Sequence, residues 1–559
     1  MASEKHLAME LLDRRTFLAG LGAAGCARAG HTEPGLILHR GNIHTMDPAA
    51  PHAEAIAIAG DRLLAVGSND DVLRLATGRT RKIDLEGKTV VPGLIDAHTH
   101  VAYSGIRHLR QVDCDLRSIA EIKGALAERA ARTPAGHWVI GFKYDDTKTG
   151  DGRKLAREDL DAAAPRHPVY VGHRGGHTAF VNSTALRLAG VDEKTPNPSG
   201  GEIDRDRNTG RLTGGLRETA IQPFQKMFFS AYSREEYREG VKIVTRMMAK
   251  AGVTSAHDAL GSPDDLRAYQ DSYEAGELSI RVYAFIAYQY LDRMIAAGVR
   301  TGMGNEWVRL GALKLVCDGS ISERTARISQ PYIGRPDDHG IWVMEEAELA
   351  AHARKAHQAG WQIAVHANGD QAIDRTLRLY RRLHQELPRR DPRFRIEHCT
   401  IVNDDLVRRI AAQGVIPNPF STYVYYHGEK FAEYGAERLK SMFAVRSFLD
   451  AGVRVTQTSD YPPGPFEPMM ALQSSVTRTD SNGTVWGANQ RITVEEALRV
   501  GTLHGAYASF EEKLKGSLEA GKLADLVVLG QDPVKVDPFA LIRIPVERTM
   551  AGGRWVFEA

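Results

Sequence analysis

Short apolar runs alternate with longer segments of helical periodicity along most of the chain. Eight of these runs predict β-strands, at residues 90–100, 253–258, 281–287, 308–318, 362–368, 395–399, 415–419 and 454–460. Segments between them repeat apolar residues at helical spacing, as residues 345–359 do beside a charged face. Strands that alternate with helices indicate a parallel sheet. The pattern therefore predicts an α/β fold, a (β/α)8 TIM barrel over residues 90–505.

Both ends of the chain show a different pattern, in which short strands are separated by tight turns. Near the N-terminus the strands at residues 55–59 and 62–67 flank a Gly-Asp turn, and residues 516–529 and 548–557 repeat this pattern near the C-terminus. These two distant β segments flank the barrel. Residues 30–89 and 506–559 are therefore expected to assemble one small composite β-sandwich.

The first two predicted barrel strands are separated by an unusually long insertion. The gap is about 150 residues, whereas a simple βαβ unit needs roughly 30 residues. A segment inserted after a barrel strand emerges on the catalytic face, where long loops usually carry function. The insertion, at about residues 104–235, is therefore predicted to be a lid that contacts substrate.

Side chains with metal-binding atoms end five of the predicted barrel strands. They are His98 and His100 on the first strand, Lys314 on the fourth, His366 on the fifth, His398 on the sixth and Asp460 on the eighth. Residues two apart on a strand project from the same face, so His98 and His100 can hold one divalent ion. Parallel barrel strands present catalytic residues at their C-terminal ends. The sequence therefore predicts a hydrolytic metal site at that edge.

The order of these ligands resembles the amidohydrolase superfamily. Within it, the chain is similar to the YtcJ-like "amidohydrolase 3" branch, which includes N-substituted formamide deformylase. The motifs that carry this similarity are Lys314-Leu-Val-Cys-Asp318-Gly319-Ser320, Arg324-Thr325-Ala326 and the segment at residues 177–186. The resemblance runs from about Leu36 to the C-terminus and implies the same barrel with a β-sandwich accessory domain.

The resemblance also implies which residues would bind each metal ion and which residue would act as the base. His98 and His100 would bind the more buried ion, and His366 and His398 a second. Asp460 would touch the first ion and act as the general base. An ammonium has donors only, so Lys314 could bridge two ions only as a carbamate. A divalent metal, zinc by preference, is expected; one ion, or two with carbamylated Lys314, both remain open.

For other polar residues near these motifs, the sequence allows two alternative roles. His177, in the lid, either contacts substrate or shapes its own loop. Three carboxylates adjoin ligands and either orient imidazole groups or cap loops, namely Asp318, Asp370 and Glu397. His257 ends the second predicted strand without a ligand role, while Cys317 and Cys399 lie beside ligands and are expected not to bind metal.

Charge is nearly balanced, with 72 Lys and Arg residues against 70 Asp and Glu residues. No electrostatic footprint for nucleic acid or for an anionic membrane surface stands out, so the expected partner is a small-molecule substrate. Four cysteines occur, one of them in the N-terminal segment, and the remaining three do not make a disulfide framework.

The first 29 residues are interpreted as a twin-arginine export signal, in which Arg14-Arg15 precedes a short apolar region at residues 19–27. That region is too short for a membrane span. Cleavage after Ala29 is favoured, with a lipid anchor on Cys26 as the alternative. The protein is thus predicted to be folded and metallated in the cytosol and passed by the twin-arginine machinery to the periplasm or the medium.

The function predicted from the sequence is hydrolysis of a carbon–nitrogen bond that is not a peptide bond, such as an amide or N-formyl group. Lactone or ester hydrolysis, or isomerisation, on the same scaffold is the alternative reaction. A non-catalytic secreted binding or regulatory protein is the alternative class. The substrate and the oligomeric state stay open, with a homodimer as one candidate arrangement.

Overall fold

The computed structural model describes residues 33–176, 178–198, 201–228 and 232–559. Three sequence-based predictions lie outside the described residues: the export signal at residues 1–29, the lipid anchor on Cys26 and the substrate contact of His177. Within the described part, no helix combines the length and the apolar character needed to cross a membrane.

The centre of the molecule is a nearly closed parallel barrel, which confirms the predicted α/β fold. Its seven strands run in spatial order from β7 back to β1, and all neighbours are parallel. The strands are β1 (Leu94–Thr99), β2 (Val253–Gly261), β3 (Arg281–Ala287), β4 (Val308–Val316), β5 (Ile363–Ala367), β6 (Arg395–His398) and β7 (Ile416–Asn418). Most of their residues are buried, as expected for parallel strands covered on both faces.

The segment at residues 454–460, predicted to be the eighth strand, closes the barrel without forming a regular strand. Ala97 N on β1 donates to Gln457 O at 2.9 Å, and a single parallel bridge joins the segment to the chain that follows β7. Asp460 has a φ of 55°, in the left-handed region and outside strand geometry. The position was predicted correctly, whereas its regular strand conformation was wrong.

The run predicted as one strand at residues 90–100 is two strands. Thr89–Pro92 pairs with strands from the two chain ends, and β1 starts the barrel. Gly93 separates them, and a Cβ placed there would lie 2.1 Å from Oγ1 of Thr254. Only glycine therefore lets the chain pass β2 at this point and change from one sheet to the other.

Strands from both ends of the chain form two sheets. The six-stranded sheet contains Arg554–Glu558, Val546–Ala551, Leu526–Leu529, Thr89–Pro92, Asn42–His44 and His52–Ala53. The four-stranded sheet contains Arg62–Gly67, Ala55–Ala59, Leu36–His39 and Arg81–Asp84. Leu38 and Ile56 share one hydrophobic cluster with Leu526 and Val528, so the two ends pack together. The domain limits at residues 30–89 and 506–559 remain predictions.

The insertion carries a six-stranded sheet of its own. In spatial order its strands are Gly201–Arg205, Leu212–Glu218, Thr178–Val181, Val169–His173, Val139–Tyr144 and Val112–Asp113. Along the chain, this sheet lies between the helix that follows β1 and the helix that precedes β2. They touch where a Cβ placed on Gly105 would lie 2.2 Å from the carbonyl oxygen of Gly240. This close approach fixes the insertion at the edge of the barrel.

The α-helices pack around the barrel strands, on the sheet of the insertion and on the four-stranded sheet. The longer ones are α1 (Val101–Arg110), α2 (Ile119–Ala131), α3 (Arg234–Lys250), α4 (Pro263–Glu274), α5 (Glu346–Gln358), α6 (Asp370–Glu386), α7 (Asp404–Gln413) and α8 (Pro468–Thr477). The shorter α-helices are Asn69–Leu73, Arg157–Ala163, Ser183–Leu188, Gln222–Phe228, Leu291–Ala296, Tyr423–His427, Ala436–Leu439, Val445–Asp450, Val494–Val500 and Leu503–Ala508. Local chemistry sets their ends: Ser262 caps α4, Pro263 begins it, and Asp265 accepts from Ser262 N at 2.7 Å.

Candidate metal centre

The carboxyl edge of the barrel opens into a cavity of about 480 Å³. Its wall includes five of the predicted site residues, namely His100, Lys314, His366, His398 and Asp460. His98 lies behind them, fully buried, with its ring centre 4.7 Å from that of His398. A cavity of this volume is of the size that holds a small molecule.

His98, His100 and Asp460 form the tightest cluster. Oδ1 of Asp460 lies 3.3 Å from Nε2 of His98 and 3.1 Å from Nε2 of His100. One ligand atom from each of the three residues lies within 4.8 Å of the other two. The second ring nitrogen of His100, Nδ1, is 2.7 Å from the carbonyl oxygen of Ala259. That contact turns Nε2 of His100 toward the cluster.

A buried ion pair stands behind His98. Nδ1 of His98 contacts Oε2 of Glu397, and Nε of Arg395 donates to Oε1 of the same carboxylate at 2.7 Å. Burial alone would raise the pKa of Glu397, but the charges of Arg395 and His98 hold that pKa well below its usual range. The ionised carboxylate fixes the ring of His98 with Nε2 facing Asp460, an arrangement common at metal sites. Glu397 therefore orients an imidazole and does not cap a loop.

The second histidine pair lies on the opposite wall. The ring centres of His366 and His398 are 4.4 Å apart, and His398 stacks on Phe420 at 4.3 Å. Burial and the nearby charge of Lys314 lower the pKa of His366 to about 3. Burial also holds the pKa of His398 well below its usual value. Both rings are therefore neutral at physiological pH, so each keeps a nitrogen lone pair that can bind a cation.

Lys314 lies between the two histidine pairs. Its side chain comes from β4, the residue is 3% exposed, and Nζ is 3.2 Å from Nε2 of His98. Burial lowers the pKa of Lys314 to about 8, against the opposing charges of Glu397 and Asp460. The neutral amine is therefore a minor species at pH 7, and its fraction rises as the pH approaches 8.

Asp460 stays ionised although it is buried. Burial would raise the pKa of Asp460, but His398 and the contacts with His100 and His98 hold that pKa well below its usual range. Both Asp460 and His398 have left-handed backbone, with φ of 55° and 72°. Such conformations are uncommon outside glycine and cluster at functional sites. The surrounding barrel therefore holds these two side chains in place.

The other carboxylates that adjoin ligands brace the backbone. Asp318 accepts from the backbone nitrogens of Asn368, Gly369 and Arg327 at 2.8 to 2.9 Å. Asp370 accepts from the backbone nitrogen of Ser329 at 2.8 Å. Both therefore match the loop-capping alternative.

The two cysteines near ligands lie in the hydrophobic core. Cys317 and Cys399 are fully buried in the main apolar cluster around the barrel. His257, also fully buried, has Nδ1 3.0 Å from Nη1 of Arg395. The two cysteines therefore pack in the core behind the site, and His257 contacts Arg395, which holds Glu397.

Two contributors were missed in the sequence. Arg395 holds Glu397, and Phe420 stacks on His398. The alternation of side chains along β6 places Arg395 on the same face as Glu397, so the local pattern contained a signal for the first residue. Phe420 follows β7 and gave no comparable signal, because its contact depends on how the strands close around the barrel.

The upper wall of the cavity mixes aromatic and charged groups. Four aromatic and charged residues of the insertion differ in where they lie. Arg174 lines the cavity, whereas Tyr144 and Phe180 pack in the core of the insertion. Asp145 accepts from Nζ of Lys430 at 3.0 Å and joins the insertion to the loop after β7.

Known proteins resemble this chain in sequence and in fold. Residues 81–557 match the family described as "Amidohydrolase family". N-substituted formamide deformylase from Arthrobacter pascens is 30% identical over 94% of this chain and 98% of its own length. Putative amidohydrolase YtcJ from Bacillus subtilis (strain 168) is 28% identical over 93% and 99%. An uncharacterized metal-dependent hydrolase from Pyrococcus horikoshii OT3 has a similar structure, with a TM-score of 0.74 and 26% identity over 90% of this chain and 99% of that one.

Proposed function

This chain belongs to the amidohydrolase family, and on that basis we propose that it hydrolyses an amide or N-formyl bond with Asp460 as the general base. It is a metal-dependent hydrolase that acts on carbon–nitrogen bonds other than peptide bonds. The observation that carries the finer proposal is the convergence of His98, His100 and Asp460 on one point of the cavity.

The donor set suits a divalent cation. Two imidazoles and a carboxylate are typical zinc ligands, and Nδ1 of His398 is buried without a hydrogen-bond partner among the described residues. Leaving such a nitrogen unpaired in the interior is costly unless it binds something. His98, His100 and Asp460 would hold one ion, and His366 and His398 a second.

In this proposal the number of bound ions depends on whether Lys314 is carbamylated. A neutral lysine amine reacts with carbon dioxide to give a carbamate, and the lowered pKa of Lys314 supports that step. The carbamate would bridge two ions. An unmodified Lys314 would leave a single ion on His98, His100 and Asp460.

The residues around the site divide the chemistry as follows. A divalent ion held by His98, His100 and Asp460 would polarise the substrate carbonyl and make a water acidic near neutral pH. Asp460 takes a proton from the attacking water, whose oxygen bonds to the carbonyl carbon. When the carbon–nitrogen bond breaks, Asp460 returns that proton to the leaving nitrogen. The products are a carboxylic acid, formic acid for an N-formyl substrate, and an amine.

An N-formyl or simple amide substrate is favoured by the relative from Arthrobacter pascens, whose name specifies N-substituted formamides. Lactone or ester hydrolysis, or isomerisation, would use the same metal and base. Amides, formamides and lactones assayed on one preparation separate these reactions. A purely binding or regulatory protein would not need an ionised Asp460 beside two histidines.

Metal removal tests the core of the proposal. Purified protein is expected to contain zinc or a comparable divalent ion by elemental analysis, and prolonged chelation should abolish turnover of any amide in the panel. Activity should return when the metal is restored. Full turnover in protein shown to be metal-free would contradict the mechanism.

The place of action is part of the same proposal. Arg14 and Arg15 precede a short apolar region, which supports export by the twin-arginine machinery to the periplasm or the medium. Lipidation of Cys26 in place of cleavage after Ala29 remains the alternative, and a homodimer remains a candidate assembly. A protein that acquires its metal before export would not depend on the metal supply outside the cell.

A further inference from the structure

One wall of the cavity is a single face of α1. His100 is the N-cap of this helix, and Tyr103, Arg107 and Gln111 follow at helical spacing; all four line the cavity. Because a helix rises 1.5 Å per residue, Arg107 lies about 10 Å from His100 along the axis. The cavity therefore has the candidate metal centre at one end of this face and Arg107 at the other.

Arg107 lacks a carboxylate partner among the residues that the structure describes. Its guanidinium carbon lies 3.9 Å from the ring centre of Tyr103, and it donates a hydrogen bond to the hydroxyl of that tyrosine. Burial lowers the pKa of Arg107 to about 10, so the group is still a cation at neutral pH. Arg107 is a part-buried cation on the cavity wall. Without a carboxylate partner it attracts an anionic ligand, to which its remaining N–H groups can donate.

The neighbouring charges already have partners. Arg174 forms an ion pair with Asp115 and donates to the carbonyl oxygen of Pro462 at 2.9 Å. Asp258 accepts from Val101 N and from the hydroxyl of Tyr269, each at 2.7 Å.

Asp265, the second carboxylate on that wall, accepts from Ser262 N at the start of α4. Nε of Arg174 is a buried donor without a hydrogen-bond partner among the described residues, but the charge of Arg174 is already paired with Asp115. Of the two arginines in the described cavity wall, Arg107 is thus the one whose charge has no carboxylate partner.

We propose that Arg107 binds a carboxylate at the end of the substrate remote from the scissile bond. The planar guanidinium matches a carboxylate with two parallel hydrogen bonds. Tyr103, Tyr232 and Tyr237 line the same cavity, so the part of the substrate between its two ends is apolar or aromatic. This inference rests on the function proposed above. It specifies the substrate class as an N-formyl or N-acyl derivative of an amine that also carries a carboxylate.

Binding tests this inference without turnover. We expect 3-phenylpropionate to bind the purified, metal-containing protein more tightly than the neutral 3-phenylpropanamide in calorimetric titrations. Arg107→Gln should weaken binding of the acid by roughly 10- to 100-fold, the usual effect of losing hydrogen bonds to a charged group. Arg107→Lys should retain part of it, because it keeps the charge and loses the fork.

Arg132→Gln is the matched control. Arg132 pairs with Glu128 on the exposed side of the insertion, with 76% of its side chain exposed, so its removal changes the net charge equally without touching the cavity. It should bind the acid as the wild type does, and thermal melting should show all three variants folded. Equal binding of the acid by wild type and Arg107→Gln would overturn the inference, because the anion would then be held elsewhere, on the metal for example.

A substrate pair provides the second readout. N-formyl-6-aminohexanoate should have a higher kcat/KM than its neutral carboxamide, and Arg107→Gln should lower the ratio of the two values by roughly 10- to 100-fold, mainly through KM. In one outcome, both compounds are turned over while Arg107→Gln leaves the ratio of their kcat/KM values unchanged. That result would overturn the inference but would not contradict the proposed function. Absence of turnover of every amide would overturn the proposed function, and the binding titrations alone would then decide the inference.

Discussion

At the residue scale, the proposed mechanism assigns proton transfer to one group and cation binding to others. Asp460 is buried, yet its contacts with His98 and His100 keep it ionised. His366, which is part-buried, and His398, which is buried, stay neutral. One carboxylate therefore carries the proton transfer in the proposed mechanism.

Replacing Asp460 by Asn should lower kcat by about two to four orders of magnitude, the usual range for a general acid–base residue. The amide can still bind a metal weakly but cannot accept the proton of water. Steady-state kinetics, metal analysis and circular dichroism of the purified variant measure this. Asp370→Asn is the control, since Asp370 contacts Ser329 at an exposed site, and it should keep its kcat. A base elsewhere is indicated if Asp460→Asn turns over as fast as the wild type.

Replacing Lys314 by Ala should remove about one metal ion per chain. Two divalent cations a few ångströms apart repel each other strongly in a partly desolvated site, and a bridging carbamate reduces that cost. A short carboxylic acid supplied in solution should restore part of the activity. Metal counts and rates with and without added acid test this, with Lys154→Ala, on the exposed surface of the insertion, as the control. Unchanged metal content and activity would leave Lys314 a structural lysine.

The sequence predicted the members of the site better than their support. His98 and His100 were found from a local pattern, because alternation along a strand places residues two apart on one face. The contact of His98 with Glu397 joins residues 299 positions apart, and Phe420 reaches His398 through barrel closure. Such contacts depend on how strands pair, which a local pattern does not specify. The metal-binding and catalytic roles of all these residues remain predictions.

At the element scale, seven of the eight predicted barrel strands are present, although their ends shift. The pattern of residues 90–100 did not show that the chain passes from one sheet to another at Gly93, because both halves of the run are equally apolar. Residues 454–460 read as a strand for the same reason. Hydrophobicity reports that a segment is buried, and it does not report which hydrogen bonds the segment makes.

The contact between α1 and α3 predicts an asymmetry between two glycines. Gly105→Ala should destabilise the protein by about 1–3 kcal/mol, as overpacking usually does, because its Cβ would meet the backbone of Gly240 at 2.2 Å. Gly124→Ala, on the exposed face of α2 where a Cβ meets nothing within 4 Å, should be neutral or stabilising by up to about 1 kcal/mol. Denaturant unfolding of both variants measures this. Equal free energies of unfolding for Gly105→Ala and Gly124→Ala would mean that α1 and α3 can move apart without cost to stability.

Displacement of α1 by Gly105→Ala should also impair catalysis. The N-cap of α1 is His100, and the same helix carries Arg107. We expect a lower kcat/KM for Gly105→Ala at a temperature where it is still folded, and an unchanged value for Gly124→Ala. The insertion would then be coupled to the site through this one helix.

At the scale of the whole molecule, the order of modules was readable from the sequence because each module has its own pattern. Strand and helix alternation marked the barrel, and the long gap after its first strand marked the insertion. The pairing of Thr89–Pro92 with Leu526–Leu529 was expected only in outline, since sequence does not show which distant edges meet.

Replacing Arg14 and Arg15 together by Lys should leave active enzyme in the cytosol. The paired arginines are interpreted as an export address, so location should change while specific activity stays the same. Cell fractionation with an activity assay in each fraction measures this, and Arg28→Lys, which leaves the pair intact, is the control. Undiminished export of the double variant would rule out the twin-arginine assignment.

The cluster of His98, His100 and Asp460 has a consequence for protein synthesis. His100 and Asp460 are 360 residues apart, and at about 5–20 residues per second the ribosome needs roughly 20–70 s to add that length. During this interval a nascent chain presents both histidines without their carboxylate. A chain that ends before residue 460 never gains it. The complete set of three proposed ligands therefore exists only after nearly the whole barrel has left the ribosome, which would make metal loading a late step in the synthesis of each molecule.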